Sequence, residues 1–211
     1  MINNDETAVA TIAAPLKKNS GKILFFSGSN STNSINQQLV TILAGSMQQD
    51  QTRLINLNDF PMPIYSEKEE TIGIPAKTNE LLELIDAYDL LVIAVPEHNR
   101  AVPAFFKNTL DWMSRARADY RALAGKEVIL LSACPGVGGN HTLLNAHNIL
   151  MVLGAEVIGA LVLKQFQNHI HNNDGKVQIT CNNFLSEFEN LVALSAIKAS
   201  IKNSIKSVEE Y

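Results

Sequence analysis

The sequence predicts an α/β three-layer sandwich around a five-stranded parallel sheet with strand order 2-1-3-4-5. Three observations predict it. Apolar runs of strand length alternate five times with stretches of helical spacing. Each run is apolar throughout, as expected of strands covered on both faces. Right-handed crossovers then put helices on both sides of the sheet, and five strands favour this order over a six-stranded one.

The elements follow in turn. Lys22 to Ser27 is the first strand and ends in small residues. Ile35 to Met47 is helical, with Ile35, Leu39, Ile42 and Leu43 on one side. Arg53 to Leu57 is the second strand, and a loop holding Pro61, Pro63 and Pro75 follows it. Lys77 to Ala87 is a helix facing inward through Leu81, Leu84 and Ile85. Leu90 to Val95 is the third strand, closed by Pro96. Pro103 to Ser114 is a helix with proline in its first turn and a stripe of Phe106, Leu110 and Met113. Trp112 falls within it and reads as core packing. Glu127 to Ser132 is the fourth strand. His141 to Leu153 is a helix stopped by Gly154. Val157 to Leu163 is the fifth strand. Asn182 or Asn183 starts a last helix through about Lys206, with Phe184, Phe188, Leu191, Ile197 and Ile201 inward.

The chain has 211 residues, of which 46% are hydrophobic and 18% charged, enough apolar material for a single core and too much for disorder. Residues 1–20 are small and polar and read as a flexible extension; residues 21–211 form the domain. The net charge of −4 offers no basic face for nucleic acid. No apolar run approaches the roughly 18 residues of a membrane span. No basic and apolar leader pattern opens the sequence, so the expected location is the cytoplasm. Cys134 and Cys181 are too few for a disulfide framework or a four-cysteine metal site.

In an open parallel sheet, ligands gather beyond the carboxyl ends of the strands. Three loops there are unusual. Gly28 to Asn36 (GSNSTNSIN) follows the first strand and opens a helix, so backbone N–H groups converge on one point. Ser29, Ser31, Thr32, Ser34 and Asn36 add uncharged donors, and no lysine or arginine is among them. The Gly-Lys-Ser/Thr triplet of a Walker loop is missing. An ordinary serine or asparagine cap fits the same residues. Pro96, Glu97, His98, Asn99, Arg100, Ala101, Val102 and Pro103 make a turn bracketed by prolines. His98 also fits a plain solvent-facing position. Ser132, Ala133, Cys134, Pro135, Gly136, Val137, Gly138, Gly139 and Asn140 form the third loop, where glycines let the backbone approach a ligand. Gly136 and Gly138 match half of a dinucleotide fingerprint, but His141 breaks it and Glu156 opens a strand instead of ending one.

Together these loops carry a resemblance. GS-x(4)-S-x-N, PE-x-N with a proline four residues on, KN-x-x-DW, and S-x-x-PG-x-G-G occur in order over about Gly21 to Phe166. The chain resembles the NADPH-dependent FMN reductase family, flavodoxin-like proteins that include quinone, azo-dye and chromate reductases. The resemblance implies FMN with NADPH or NADH, a ping-pong reaction, a small-molecule acceptor such as a quinone, and a homodimer or homotetramer. It implies that Ser29, Ser31, Ser34, Ile35 and Asn36 hold the phosphate. Pro96, Glu97, His98, Asn99 and Arg100 would line one side of the ring system, and Ser132, Pro135, Gly136, Gly138 and Gly139 the other. The flavin carries the chemistry, so no catalytic side chain is nominated. Two residues depart from the family pattern: His98 stands for its tyrosine and Arg100 for its glycine. A flavodoxin-type electron-transfer protein and a flavodoxin-like binding module without turnover are the competing readings.

Remaining chemistry-bearing residues read as structural. Cys134 fits a buried thiol better than a redox group. His141 and His147 lack the spacing of a paired metal site, and His169 and His171 fall in a polar loop before Asp174. Arg115 and Arg117 close a helix, where cations are favoured, though a 2′-phosphate contact fits them too. No metal is expected.

Overall fold

A computed structural model describes residues 21–173 and 176–209. The expected extension at residues 1–20 and the Asp174–Gly175 pair lie outside the described residues. The elements are β1 (Ile23–Ser27), α1 (Ile35–Gly45), β2 (Thr52–Leu54), α2 (Glu67–Ile72), α3 (Ala76–Asp86), β3 (Leu90–Ala94), α4 (Ala104–Arg115), β4 (Glu127–Ala133), α5 (Asn140–Val152), β5 (Glu156–Leu163), β6 (Ile170–Asn173), β7 (Lys176–Ile179) and α6 (Asn182–Glu209). The five-stranded sheet runs β2-β1-β3-β4-β5, and every pairing in it is parallel. This is the predicted order.

Side chains alternate across the sheet because strand periodicity is two. Leu24, Phe26, Leu91, Ile93 and Leu130 face α3, α4 and α5 and pack with Leu81, Leu110 and Leu150. Phe25, Val92, Ile129 and Leu131 face α1 and α6 and pack with Leu39, Leu43, Phe184 and Phe188. The apolar strand runs thus supply two cores, one per face. Gly154, at φ +90°, follows α5 as the expected cap.

Several expectations are corrected. β2 has only three residues, and Leu57 belongs to a 3₁₀ turn (Leu57–Asp59). The proline-containing loop holds α2, which is capped by the Ser66 hydroxyl accepting from the Glu69 N–H. β5 is half-exposed along most of its length, because an edge strand has a neighbour on one side only. Ile197 and Ile201 are exposed, not inward. Both lie off the face of α6 that carries buried Phe184, Phe188, Val192 and Ser195, and residues 198 and 199 beyond Ile197 are half-buried again. The polar stretch with His171 is not a loop: β6 and β7 pair as an antiparallel hairpin, pinned to the α1-side core by Ile170 and Ile179. His169 lies in the 3₁₀ turn that precedes it.

Candidate active site

The first loop leaves the carboxyl end of β1. Its opening Gly28 donates to the Ala94 carbonyl at 2.9 Å. A Cβ there would fall 2.7 Å from Phe106 Cγ, so only glycine lets α4 pack this close. Ser29 is buried, and its hydroxyl accepts from the Ser31 N–H at 3.3 Å. Ser34 caps α1: its Oγ accepts from the Gln37 N–H at 3.2 Å and its carbonyl accepts from the Gln38 N–H at 3.0 Å. The N–H groups of Ile35 and Asn36 then have no acceptor among the described residues. No acidic side chain stands in this first turn.

The Asn36 side chain behaves otherwise than the sequence suggests. It is buried, its Nδ2 donates to the Ala133 carbonyl at 3.0 Å, and its Oδ1 accepts from the Ala133 N–H at 2.8 Å. That double bond pattern locks α1 to the end of β4. The amide is committed to backbone, so what Asn36 leaves open at the helix start is its own backbone N–H.

The second loop is a rigid two-residue turn. His98 and Ala101 exchange two backbone hydrogen bonds of 3.0 Å each. Asn99 and Arg100 between them have φ of 52° and 65°, the pair of positive values of a type I′ turn. Glu97 points away from that tip. One of its carboxylate oxygens accepts from the N–H groups of Gly139, His141 and Thr142, at 3.1, 3.0 and 3.2 Å. The Thr142 hydroxyl donates to the Pro96 carbonyl at 3.1 Å. Glu97 is therefore the cap of α5, reached across more than forty residues.

The third loop starts later than expected. Ser132 lies within β4, with no exposed surface and no partner for its hydroxyl among the described residues. Gly139 covers it at φ +101°; a Cβ there would sit 2.9 Å from Val162 and 3.0 Å from the Ser132 hydroxyl. Pro135, Gly136, Val137 and Gly138 are exposed. The Cys134 thiol donates to the carbonyls of Gly136 and Gly138, at 3.2 and 3.1 Å, and burial pushes its pKa up. It shapes the loop as a protonated thiol.

The N-termini of α1 and α5 thus both open on this edge. The one at α5 is filled by Glu97. The one at α1 is ringed by serine hydroxyls and keeps two N–H groups open among the described residues, a donor set suited to an anion.

The family model for NADPH-dependent FMN reductase matches residues 21–168. The chain belongs to the NADPH-dependent FMN reductase family. An uncharacterized protein of Mycoplasma pneumoniae, the MG342 homolog, is 41% identical over 86 residues, 41% of this chain and 50% of its own length. A quinone reductase of Escherichia coli K12 is 36% identical over 99 residues, 46% of this chain and 52% of its own. The chain spans about half the length of the curated relatives it matches. The solved structure of FerB, a flavoenzyme NAD(P)H:(acceptor) oxidoreductase from Paracoccus denitrificans, has a TM-score of 0.65 at 20% identity, covering 83% of this chain and 95% of that one. That likeness shows the flavodoxin-like fold.

For a member of this FMN reductase family, the donor set at α1 fits the flavin's phosphate: hydroxyls and open N–H groups suit a dianion with no counter-charge. The family motif KN-x-x-DW takes a structural part that sequence reasoning missed. Asn108 accepts from the Tyr65 N–H at 2.8 Å and donates to the Pro63 carbonyl at 2.9 Å. The buried Trp112 donates to the same carbonyl at 2.7 Å and meets Tyr65 edge-on. Together they hold the segment between β2 and α2 on α4. Arg115 lies over the rings of Tyr65 and Tyr120, and Arg117 pairs with Asp86, so both cations are engaged by their neighbours. Among the described residues no group of three metal-ligating side chains forms, and no helix is long and apolar enough to cross a membrane.

Proposed function

We propose that this protein is an NAD(P)H-dependent, FMN-containing oxidoreductase that reduces a quinone-like or other small acceptor by a ping-pong reaction. The balance is NAD(P)H plus a proton plus quinone giving NAD(P)⁺ plus hydroquinone. Bound FMN supplies the hydride-accepting and electron-donating chemistry. One observation carries the reading: the α1 N-terminus is open and ringed by hydroxyls, while the neighbouring α5 N-terminus is already neutralised by Glu97.

In this reading Ser29, Ser31 and Ser34 donate hydroxyl hydrogen bonds to the phosphate, and the N–H groups of Ile35 and Asn36 close the cradle. Pro96 to Arg100 and Pro135 to Gly139 flank the ring system. The rigid turn and the Glu97 clasp hold those two walls at a fixed separation. Exposed N–H groups of the glycine loop favour negative charge on the ring edge they face. The acceptor is a small molecule, and the assembly is a homodimer or homotetramer; exposed Leu144, Met151 and Val152 on α5 supply apolar surface for it. The cytoplasm suits its two free cysteines.

Titration with FMN and with riboflavin tests the cradle. Loss of the phosphate removes several charge-assisted hydrogen bonds, and roughly 3 kcal/mol corresponds to about a hundredfold in affinity. FMN is expected to bind about that much more tightly. Equal affinities would refute the α1 site.

A further inference from the structure

We infer that Arg100 is an anion-recognition residue at the mouth of the site, selecting a docking molecule by a carboxylate, sulfonate or phosphate that it carries. This rests on the reductase reading above and adds a specificity element to it.

Four observations point the same way. Arg100 occupies the left-handed region at φ 65°, where a Cβ is disfavoured and glycine is the natural residue. A strained backbone held by a side chain that does nothing for the fold is a mark of function. Arg100 has no hydrogen bond, ion pair or ring contact among the described residues, whereas Arg115 and Arg117 are both engaged. Its side chain is exposed. The acid beside it in the loop, Glu97, is turned away and bound to three N–H groups, so it does not cancel the charge at the tip.

The turn also fixes where the side chain starts. Two backbone hydrogen bonds close it, and Pro96 and Pro103 bracket it. The free guanidinium presents a planar fork suited to oxyanions that come within its reach. The loop leaves the carboxyl end of β3, on the same edge as the α1 cradle.

Two molecules dock at that mouth in turn, so the anion belongs either to the acceptor or to the 2′-phosphate of NADPH. The test uses the full chain loaded with FMN and the variants Arg100→Gly and Arg100→Lys. One arm compares 1,2-naphthoquinone-4-sulfonate with 1,2-naphthoquinone, using NADH. The other compares NADPH with NADH, using 1,2-naphthoquinone. Arg100→Gly is expected to lower one of the two kcat/KM ratios about tenfold, and Arg100→Lys to keep most of it. The wild-type preference is expected to shrink as salt shortens the Debye length from about 30 Å at 0.01 M to about 3 Å at 1 M. A fall in the sulfonate ratio assigns the anion to the acceptor; a fall in the NADPH ratio assigns it to the cofactor. Both ratios staying within twofold of wild type would overturn the inference.

Thermal melting separates this from failure of the reductase reading. If the wild type turns over neither quinone, that reading fails. The inference is then decided by whether the sulfonated quinone, or NADPH relative to NADH, raises the melting midpoint of the wild type more than that of Arg100→Gly. A larger rise with either probe supports it, and equal shifts with both overturn it.

Discussion

Replacing Glu97 probes the joint between the two walls of the site. One carboxylate oxygen takes three N–H groups at the start of α5, at 3.0 to 3.2 Å. Glu97→Gln keeps an oxygen of the same reach and removes the charge. A charge at a helix N-terminus contributes about 1 kcal/mol when partly buried. Glu97→Ala removes the acceptor as well and leaves Gly139 and Thr142, both buried, without a partner, for a total of about 2–3 kcal/mol. In a domain of this size 1 kcal/mol moves Tm by about 2–4 °C. The expected losses are therefore about 2–4 °C for Gln and about 5–10 °C for Ala, read by circular dichroism on the full chain. FMN affinity is expected to fall in the same order, since the glycine loop is no longer tied to Pro96. Two variants that melt within 1 °C of the wild type would refute the clasp.

Asn36→Leu leaves the Ala133 N–H and carbonyl unpaired in a buried place and is expected to cost about 2–4 kcal/mol, with a matching fall in urea midpoint. Gly28→Ala forces a Cβ to 2.7 Å from Phe106 and is expected to cost about 1–3 kcal/mol in the same assay. Cys134 has a raised pKa in the fold because of burial, so the native state binds its proton more tightly than the unfolded chain. Its contribution to stability is full below the ordinary thiol value near 9 and is lost as pH rises through the raised folded value. A Cys134→Ala variant should accordingly show a shallower alkaline decline in Tm. A thiol reagent at pH 8 should label the less buried Cys181 first.

What the sequence made legible was local. Leu90 to Ala94 and Val128 to Leu131 are apolar without interruption, and burial on both faces is the environment that permits this. Ser34 announced itself as a cap by type and position. What stayed hidden depends on contacts between distant residues. Nothing near Glu97 in the chain says that its acceptors lie at Gly139 to Thr142, and nothing near Asn36 names Ala133. Both partners are backbone groups, which carry no sequence signature. α2 was masked by its prolines, although Ser66 three residues before Glu69 is a capping pattern. The β6–β7 hairpin was masked by polar residues, because only Ile170 and Ile179 need burial to anchor it. Ile197 and Ile201 are helically spaced from each other, but they lie off the stripe of Phe184, Phe188, Val192 and Ser195 that is buried, and their apolar type alone does not show which face they take.

Seating of a flavin on the α1 N-terminus and its reduction by nicotinamide are open to direct test. The most direct measurement is the visible absorption spectrum of the protein with FMN, recorded without air before and after NADPH. A bound flavin band that NADPH bleaches is expected, with its return when a quinone is added. A protein that takes up no FMN, with no NADPH oxidation, would contradict it and return Ser29, Ser31 and Ser34 to the role of a plain helix cap.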